Sequence, residues 1–166
     1  KTLTITAFDD QIGSDGLLRK WKQWVSNNSV VTTNLSTDQI IISEKTFEAT
    51  FNKQPSTPTN FSVGTQNGIQ LTWTAISDPV EYYEVWRKVN NNDFVLHSTT
   101  TGASFVDPDF AVGGNINLSY KIRAKGTNGL FSNYTNIVSV SNAAPYKHGT
   151  DIIQLSGTPT VFELHQ

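Results

Sequence analysis

The stretch VEYYEVWRKVNNNDFVLHS (residues 80–98) contains two runs in which apolar and polar residues alternate, separated by the polar residues NNND. Side chains two residues apart lie on the same face of a β-strand. We therefore predict that Tyr83 and Val85 face a core, and that Tyr82 and Trp86 face the opposite side. Alternation on both sides of a short polar turn predicts a β-hairpin with one buried face.

Strand-like runs of the same kind recur on both sides of this hairpin. Residues 60–142 contain seven of them, separated by turn-forming residues: NFSVGT, GIQLTWTAI, YYEVWRKV, FVLHSTT, SFVD, LSYKIRAKG and NIVSVSN. Seven short alternating strands in about ninety residues are typical of an antiparallel β-sandwich. Five residues are predicted to form the structural core of this sandwich: Trp73, Tyr83, Val85, Tyr120 and Ile122.

Residues 55–142 resemble a fibronectin type III domain, and the sandwich is predicted to span residues 54–143. The resemblance is carried by the proline-rich start, by IQLTWTA for strand B, YYEVWR for strand C and SFVD for strand E, and by LSYKIRAKGTNGLFSNY for strand F and the loop after it. It implies that Trp73 is the buried tryptophan of strand B. It also implies that Tyr120 is the strand F tyrosine whose hydroxyl bonds the backbone near the corner between strands E and F. The resemblance does not select a function, because such domains serve as spacers, adhesion modules and phage tail decorations.

The same resemblance makes strands C and F neighbours in one sheet. The outer face of that sheet is therefore expected to carry Tyr82 and Trp86 beside Lys121 and Arg123. In one interpretation, Trp86 covers the sheet and stacks against a cation, a contact of about 0.5–1 kcal/mol at exposed sites. In the other, the aromatic residues form a platform for a sugar or a partner protein, since exposed Trp and Tyr are enriched at interfaces.

Residues 1–53 are predicted to form a small α+β segment. KTLTITAF alternates like a strand, whereas the apolar residues of SDGLLRKWKQWVSNN fall at helical spacing, which predicts one helix over about residues 15–27. SVVTTNL, DQIIIS and TFEATF then predict short strands. The stretch NKQPSTPTN is typical of a linker that joins this segment to the sandwich.

Residues 144–166 are predicted to form a strand-forming tail. Two apolar clusters separated by SGTP predict a hairpin or two short strands. An isolated hairpin is marginal in water, so the tail is expected to fold back, to pair with the sandwich edge, or to meet another copy or domain. We predict that it adds as a strand to a neighbouring copy, with the N-terminal segment as receptor, or to the next domain of a longer chain. The interaction residues predicted in the tail are Ile152, Ile153, Leu155, Val161, Phe162 and Leu164.

The charge and cysteine content exclude several classes of function. The formal net charge is −2 and charged residues make up 16% of the chain, so no basic field exists to hold nucleic acid or an anionic membrane. The absence of cysteine excludes disulfides and thiolate metal sites. No secretory h-region or transmembrane run occurs, and because the chain begins at Lys1 we expect a processed product or a fragment.

Catalytic and metal-binding motifs are absent or weak in this sequence. No nucleophile elbow, phosphate-binding loop or dinucleotide fingerprint occurs, and the three histidines are scattered. Asp9, Asp10 and Asp15 lie close together in FDDQIGSDG, which is a weak calcium signal, with a solvated loop and helix cap as the alternative. We therefore expect no resident metal, no cofactor and no enzymatic activity.

These observations predict a non-catalytic structural or interaction protein of an extracellular or virion-surface assembly, such as a phage tail appendage or a filament. The expected partners are other protein subunits, including copies of itself, and a glycan is a further candidate. Nucleic acid binding and membrane insertion are not expected. The alternative is an accessory spacer or glycan-contacting module of a secreted polysaccharide-degrading enzyme.

Overall fold

The chain folds into β-strands joined by turns. The computed structural model describes residues 2–8, 10–40 and 46–145, and every regular element within them is a strand, which confirms the predicted mostly β fold. A membrane-crossing helix is absent from this described part of the chain. The N-terminal strands are β1 (Thr2–Thr6), β2 (Gln11–Ile12), β3 (Leu18–Ser26), β4 (Ser29–Thr32), β5 (Ser36–Ile40) and β6 (Glu48–Lys53). The later strands are β7 (Thr59–Gly64), β8 (Gln70–Thr74), β9 (Val80–Val89), β10 (Val95–Thr100), β11 (Ser104–Val106), β12 (Phe110–Gly126) and β13 (Val138–Pro145).

Two antiparallel sheets form the sandwich. One has the strand order β10-β9-β12-β13 and the other β11-β8-β7. Alternate side chains of both sheets meet between them, which is how a sandwich makes its core. All five residues predicted to form the core lie there, including Trp73, which is 6% exposed. The Trp73 ring packs edge-on against Phe61 and Tyr83, with centroids 6.2 and 5.3 Å away.

An ion-paired cluster closes one end of this core. Arg87 shares the inner face of the sheet with Tyr120, and its guanidinium lies 2.9 Å from Asp107 and 2.9 Å from Asp109 in the turn between β11 and β12. The Tyr120 hydroxyl donates a 2.6 Å hydrogen bond to Asp107, whereas the family resemblance implied a backbone acceptor. Burial would raise the pKa of Asp107, but hydrogen bonds from Tyr120 and Arg87 outweigh it and hold that pKa below its ordinary value.

The helix predicted over residues 15–27 is wrong. Most of these residues form β3, which pairs with β6 along one edge and with β2 and β4 along the other. The pairing of β3 with β6 shifts by one residue between Trp21 and Gln23, so Lys22 is the extra residue of a β-bulge. The bulge puts Trp21 and Trp24 on one face, where their rings meet at 5.5 Å. The spacing of three between Trp21 and Trp24, which predicted a helix, therefore comes from a bulge in a strand.

A tight turn explains where this strand ends. Asn27 and Asn28 join β3 to β4, with φ values of 51° and 60°. Two successive positive φ values are what a two-residue type I′ hairpin turn requires, and Asn tolerates them. β1 and β5 pair antiparallel in a separate two-stranded sheet.

The predicted linker packs against the sandwich. Pro55 is buried, and a side-chain carbon added at Gly126 would come within 2.7 Å of its ring. The Ser56 backbone N–H donates to Asp78 at 2.8 Å, and the Asn128 side chain donates to the Lys53 carbonyl at 2.7 Å. These contacts attach the end of β6 to the sandwich.

Candidate interaction face

The outer face of the four-stranded sheet carries an ordered row of charged and aromatic side chains. In the register of β9 with β12, Lys121 lies opposite Trp86 and Lys125 opposite Tyr82. Because paired residues share a face, these side chains point away from the core, as do the neighbours Glu84 and Arg123. The structure thus brings together Tyr82, Trp86, Lys121 and Arg123, the four interaction residues predicted from this face.

The segment that follows β12 supplies further aromatic rings to the same face. Its Ser132 and Thr135 hydroxyls accept hydrogen bonds of 2.8 and 3.1 Å from the backbone N–H groups of Ala124 and Ile122. The backbone N–H groups of Ser132 and Thr135 donate in turn to the carbonyls of Ala124 and Ile122, at 2.8 and 2.9 Å. The hydroxyls therefore take the place that strand carbonyls would have along the edge of β12. This arrangement leaves the intervening aromatic residue, Tyr134, over the outer face.

Cations and rings alternate across this face in what we call the cation–aromatic ladder. The Arg123 guanidinium lies 4.0 Å from the centre of the Phe131 ring, 4.9 Å from Tyr134 and 5.6 Å from Trp86. The Lys125 ammonium lies 5.2 Å from the Tyr82 ring. Contacts of this kind stabilise by about 0.5–1 kcal/mol each at exposed sites and more when desolvated. The ladder comprises Tyr82, Trp86, Phe94, Lys121, Arg123, Lys125, Phe131 and Tyr134.

A buried carboxylate fixes the centre of the ladder. Glu84 is 6% exposed and accepts hydrogen bonds of 2.7 Å from Arg123 Nε and 2.9 Å from Trp86 Nε1. A buried charge persists only when it is paired and hydrogen-bonded. Glu84 therefore holds both the indole and the guanidinium in place, and Arg123 has little charge left to offer a partner.

Lys121 differs from the other ladder cations because it is surrounded by rings. Its ammonium lies 4.0 Å from the centre of the Tyr134 ring, 4.6 Å from Phe94 and 5.9 Å from Trp86. Among the described residues no carboxylate lies within salt-bridge distance of it, whereas Lys125 pairs with Glu81 at 3.5 Å. Lys121 is therefore a cation that contacts aromatic rings and pairs with no described carboxylate.

Charge in the sandwich is divided between this face and the rest. The face has four cations and two carboxylates, for a formal charge of +2. The remainder of residues 54–145 has one cation and four carboxylates, for a formal charge of −3. The face residues are Lys88, Lys121, Arg123, Lys125, Glu81 and Glu84, and the others are Arg87, Asp78, Asp93, Asp107 and Asp109.

Sequence reasoning missed the rings of the connecting segment. The alternation rule found the residues on β9 and β12, but the segment FSNYT (131–135) is not a regular strand. A signal was present, since the segment repeats an aromatic residue followed by a hydroxyl residue with a spacing of three. Phe94 lies in the turn before β10, where no periodicity places it.

Two of the three weak calcium candidates, Asp10 and Asp15, form ion pairs. Asp15 lies 2.9 Å from Arg19 and 3.3 Å from Lys53, and the Arg19 hydrogen bond holds the pKa of Asp15 well below its ordinary value. Asp10 lies 2.9 Å from Lys20. Asp9 lies outside the described residues, as does the whole set predicted in the tail: Ile152, Ile153, Leu155, Val161, Phe162 and Leu164.

A second group of possible metal ligands surrounds Arg87. His97, Asp107 and Asp109 place one ligand atom each within 4.8 Å of one another. The Arg87 guanidinium lies among them, 3.1 Å from His97 Nε2 and 2.9 Å from both carboxylates. Burial, and then the charge of Arg87, lower the pKa of His97. A metal ion would have to displace the guanidinium, so the arrangement favours a structural ion-pair cluster.

Comparisons with known proteins add little to this description. No protein-family model matches the chain, and no curated protein matches it. A solved structure, the β-1,2-glucanase from Parabacteroides distasonis, is similar over 64% of the chain, with a TM-score of 0.41 and 15% sequence identity. The chain spans 17% of the length of that protein.

Proposed function

We propose that this chain is a non-catalytic interaction module that joins protein subunits in an extracellular or virion-surface assembly, and that the cation–aromatic ladder is its contact face. The observation that carries the proposal is the concentration of rings and cations on one face of the sheet. Trp, Tyr and Arg are the residues most enriched in the energetically dominant positions of protein interfaces. An apolar residue borders the same face, since Leu96 lies opposite Trp86 and is 49% exposed.

The state of the carboxyl groups supports a non-catalytic role. A carboxyl that serves as a general acid near neutral pH needs a pKa that is raised toward neutrality. Within the described residues, a hydrogen bond from Arg19 lowers the pKa of the Asp15 carboxyl, and one from the Ser56 backbone lowers the pKa of the Asp78 carboxyl. Cations also pair with Glu84 and Asp107, the carboxylates that are buried in the described part of the chain.

The ring geometry favours a protein partner over a glycan. Stacking of a sugar needs an open ring face, but Lys121 and Arg123 lie over the Tyr134 ring and Arg123 lies over the Phe131 ring. A sugar would have to displace these cations. A protein partner can instead pack around the ladder and leave its cation–ring contacts in place.

Light scattering across a range of protein concentrations tests this proposal. We expect the wild-type chain to form higher-order species, and we expect Trp86→Ala to shift them toward monomer without loss of the folded state. Val106→Ala, which truncates a 53% exposed side chain on the other sheet, is the matched control and should assemble normally. A wild-type chain that remains monomeric at every concentration contradicts the proposal and supports the spacer alternative.

A further inference from the structure

We propose that the cation–aromatic ladder is the docking face for residues 149–166 of a second copy of this chain, received as an extended segment with acidic and apolar side chains. This inference rests on the proposed function, because it names the partner of the contact face assigned there. It replaces the receptor expected from the sequence, the N-terminal segment, with the outer face of the sandwich sheet.

Two lysines on the ladder face have no carboxylate partner among the described residues. Lys121 and Lys88 have no carboxylate within salt-bridge distance among the described residues, and both lie on the outer face. Rings on several sides of Lys121 hold its ammonium in one position before any partner arrives. A fixed, unpaired cation favours an anionic group, since little ordering is needed when the two meet.

The same face also has an apolar border. Leu96 is 49% exposed beside Trp86, and Ile137 is 56% exposed immediately before β13, at the level of Lys121. A partner that satisfies the cations and also covers these side chains must carry acidic and apolar groups on one surface. A polypeptide strand provides both, whereas an acidic polysaccharide provides only the first.

The pattern of residues 149–166 meets both requirements. In an extended segment Asp151, Ile153 and Leu155 lie on one face, because side chains two residues apart share a face. Val161 and Glu163 share a face in the same way. The segment carries two carboxylates and no Lys or Arg, which complements the formal charge of +2 on the ladder face.

One apolar run of the segment matches the row of ladder cations in length. Residues 151–155 have the same number of positions as residues 121–125, which carry the three ladder cations of β12. Five extended residues span about 13 Å between the first and last Cα atoms. One apolar run of the segment is therefore long enough to cover the cation row.

The direction of β13 assigns the segment to a second copy. β13 runs from Val138, opposite Tyr120, to Pro145, opposite Phe110, which carries the chain about 23 Å away from the ladder. Asp151 lies six residues after Pro145, and six residues span at most about 22 Å when fully extended, so it cannot return to Lys121 of its own chain. A neighbouring copy has no such constraint.

A charge-reversal pair tests the inference in the full-length chain. We expect Lys121→Glu and Asp151→Lys each to weaken assembly, because each change places like charges together. The protein concentration at which assembly begins should rise by about tenfold or more. Mixing the two variants should restore assembly, since each variant then offers the charge that the other needs. Lys22→Glu, the same change at an exposed site in the N-terminal sheet, is the control and should assemble as wild type.

The outcomes separate this inference from the proposed function. If Trp86→Ala reduces assembly but the mixed variants do not recover it, the ladder remains a contact face and the partner assigned here is wrong. A synthetic peptide of residues 149–166 gives a second readout that does not depend on assembly. We expect it to bind the full-length chain about tenfold more weakly when Lys121 is Glu or when its own acids are replaced by Asn and Gln. The inference is wrong if the wild-type and substituted peptides bind the wild-type and Lys121→Glu chains equally well. It is also wrong if polygalacturonate binds more tightly than the peptide and in a way that depends on Lys121.

Discussion

At the scale of single residues, Glu84 connects the stability of the sheet to the geometry of its outer face. Its carboxylate accepts one hydrogen bond from Arg123 and one from Trp86, and it is buried beneath both. Removing the carboxylate leaves the guanidinium and the indole N–H without their acceptor. The cost is set by those orphaned donors more than by the charge pair itself.

Glu84→Ala is therefore expected to lower the free energy of unfolding by about 2 kcal/mol, within the range for hydrogen bonds to charged groups. Urea unfolding measures this change. Glu81→Ala is the matched control, because Glu81 is exposed and its pair with Lys125 is a surface ion pair, which contributes about 0–1 kcal/mol. Similar losses in the two variants would contradict the role assigned to Glu84.

Asp107 gives the sandwich a defined response to acid. Its pKa lies below the ordinary value of about 3.9 because the hydrogen bonds from Tyr120 and Arg87 outweigh its burial. A lowered folded-state pKa contributes stability that is present in full above the ordinary value and is lost as the pH falls through the folded-state value. We expect Asp107→Asn to be less stable than wild type at neutral pH, and the difference to narrow as the pH falls below about 4.

Unfolding free energies of wild type and Asp107→Asn across this pH range measure the effect. The other carboxyls with lowered pKa, Asp15 and Asp78, are present in both proteins, so their contributions cancel in the difference. A difference that stays constant down to the acid limit would show that Asp107 does not act through its charge.

At the scale of elements, the segment FSNYT is an irregular connection that behaves like an edge strand. Its two hydroxyls satisfy backbone N–H groups of β12 that no neighbouring strand reaches. The spacing of three between these hydroxyls also sets the spacing of the two rings. The same residues therefore complete the sheet and place the aromatic side chains.

Ser132→Ala and Thr135→Val should each lower the free energy of unfolding by about 1–3 kcal/mol, the cost of a buried donor left without its acceptor. Ser139→Ala is the control, because Ser139 is exposed and its hydroxyl bonds that of the half-buried Ser119, and surface changes of this kind stay within about 0.5 kcal/mol. Urea unfolding of the three variants distinguishes the cases. Losses equal to that of the control would mean that the hydroxyls do not support β12.

Elements also show where sequence reasoning succeeds and where it fails. The sandwich is predictable because period-two alternation survives through most of β9 and β12, so core and outer residues separate cleanly. β3 is not predictable in this way, because the bulge at Lys22 interrupts the alternation and produces a spacing of three that suggests a helix. The Asn27-Asn28 turn was the local signal for a hairpin. Three of the five ladder rings, Phe94, Phe131 and Tyr134, come from connecting residues, and no local alternation specifies their positions.

At the scale of the whole molecule, the sandwich is easier to predict from the sequence than the N-terminal sheets, because more of it follows period-two alternation. The antiparallel sandwich follows from seven alternating runs, while the resemblance to fibronectin type III domains remains a prediction. The N-terminal sheet built on β3 contains one aromatic cluster, in which Trp21 meets Trp24 and Phe51 at 5.5 and 5.6 Å. Small units of this kind gain much of their stability from their neighbours. The contacts of Lys53 and Pro55 with the sandwich therefore help to hold the sheet of β3 and β6 in place.

The division of charge across the sandwich has a kinetic consequence. A face of +2 and a remainder of −3 make the sandwich an electric dipole, although the net charge of the whole chain is only −2. A dipole turns an approaching anionic surface toward its positive end before contact, which raises the rate of productive encounter. Dissolved ions weaken this steering over about 8 Å at physiological ionic strength. The speed with which a partner finds the ladder should therefore depend on salt more steeply than the lifetime of the complex it forms.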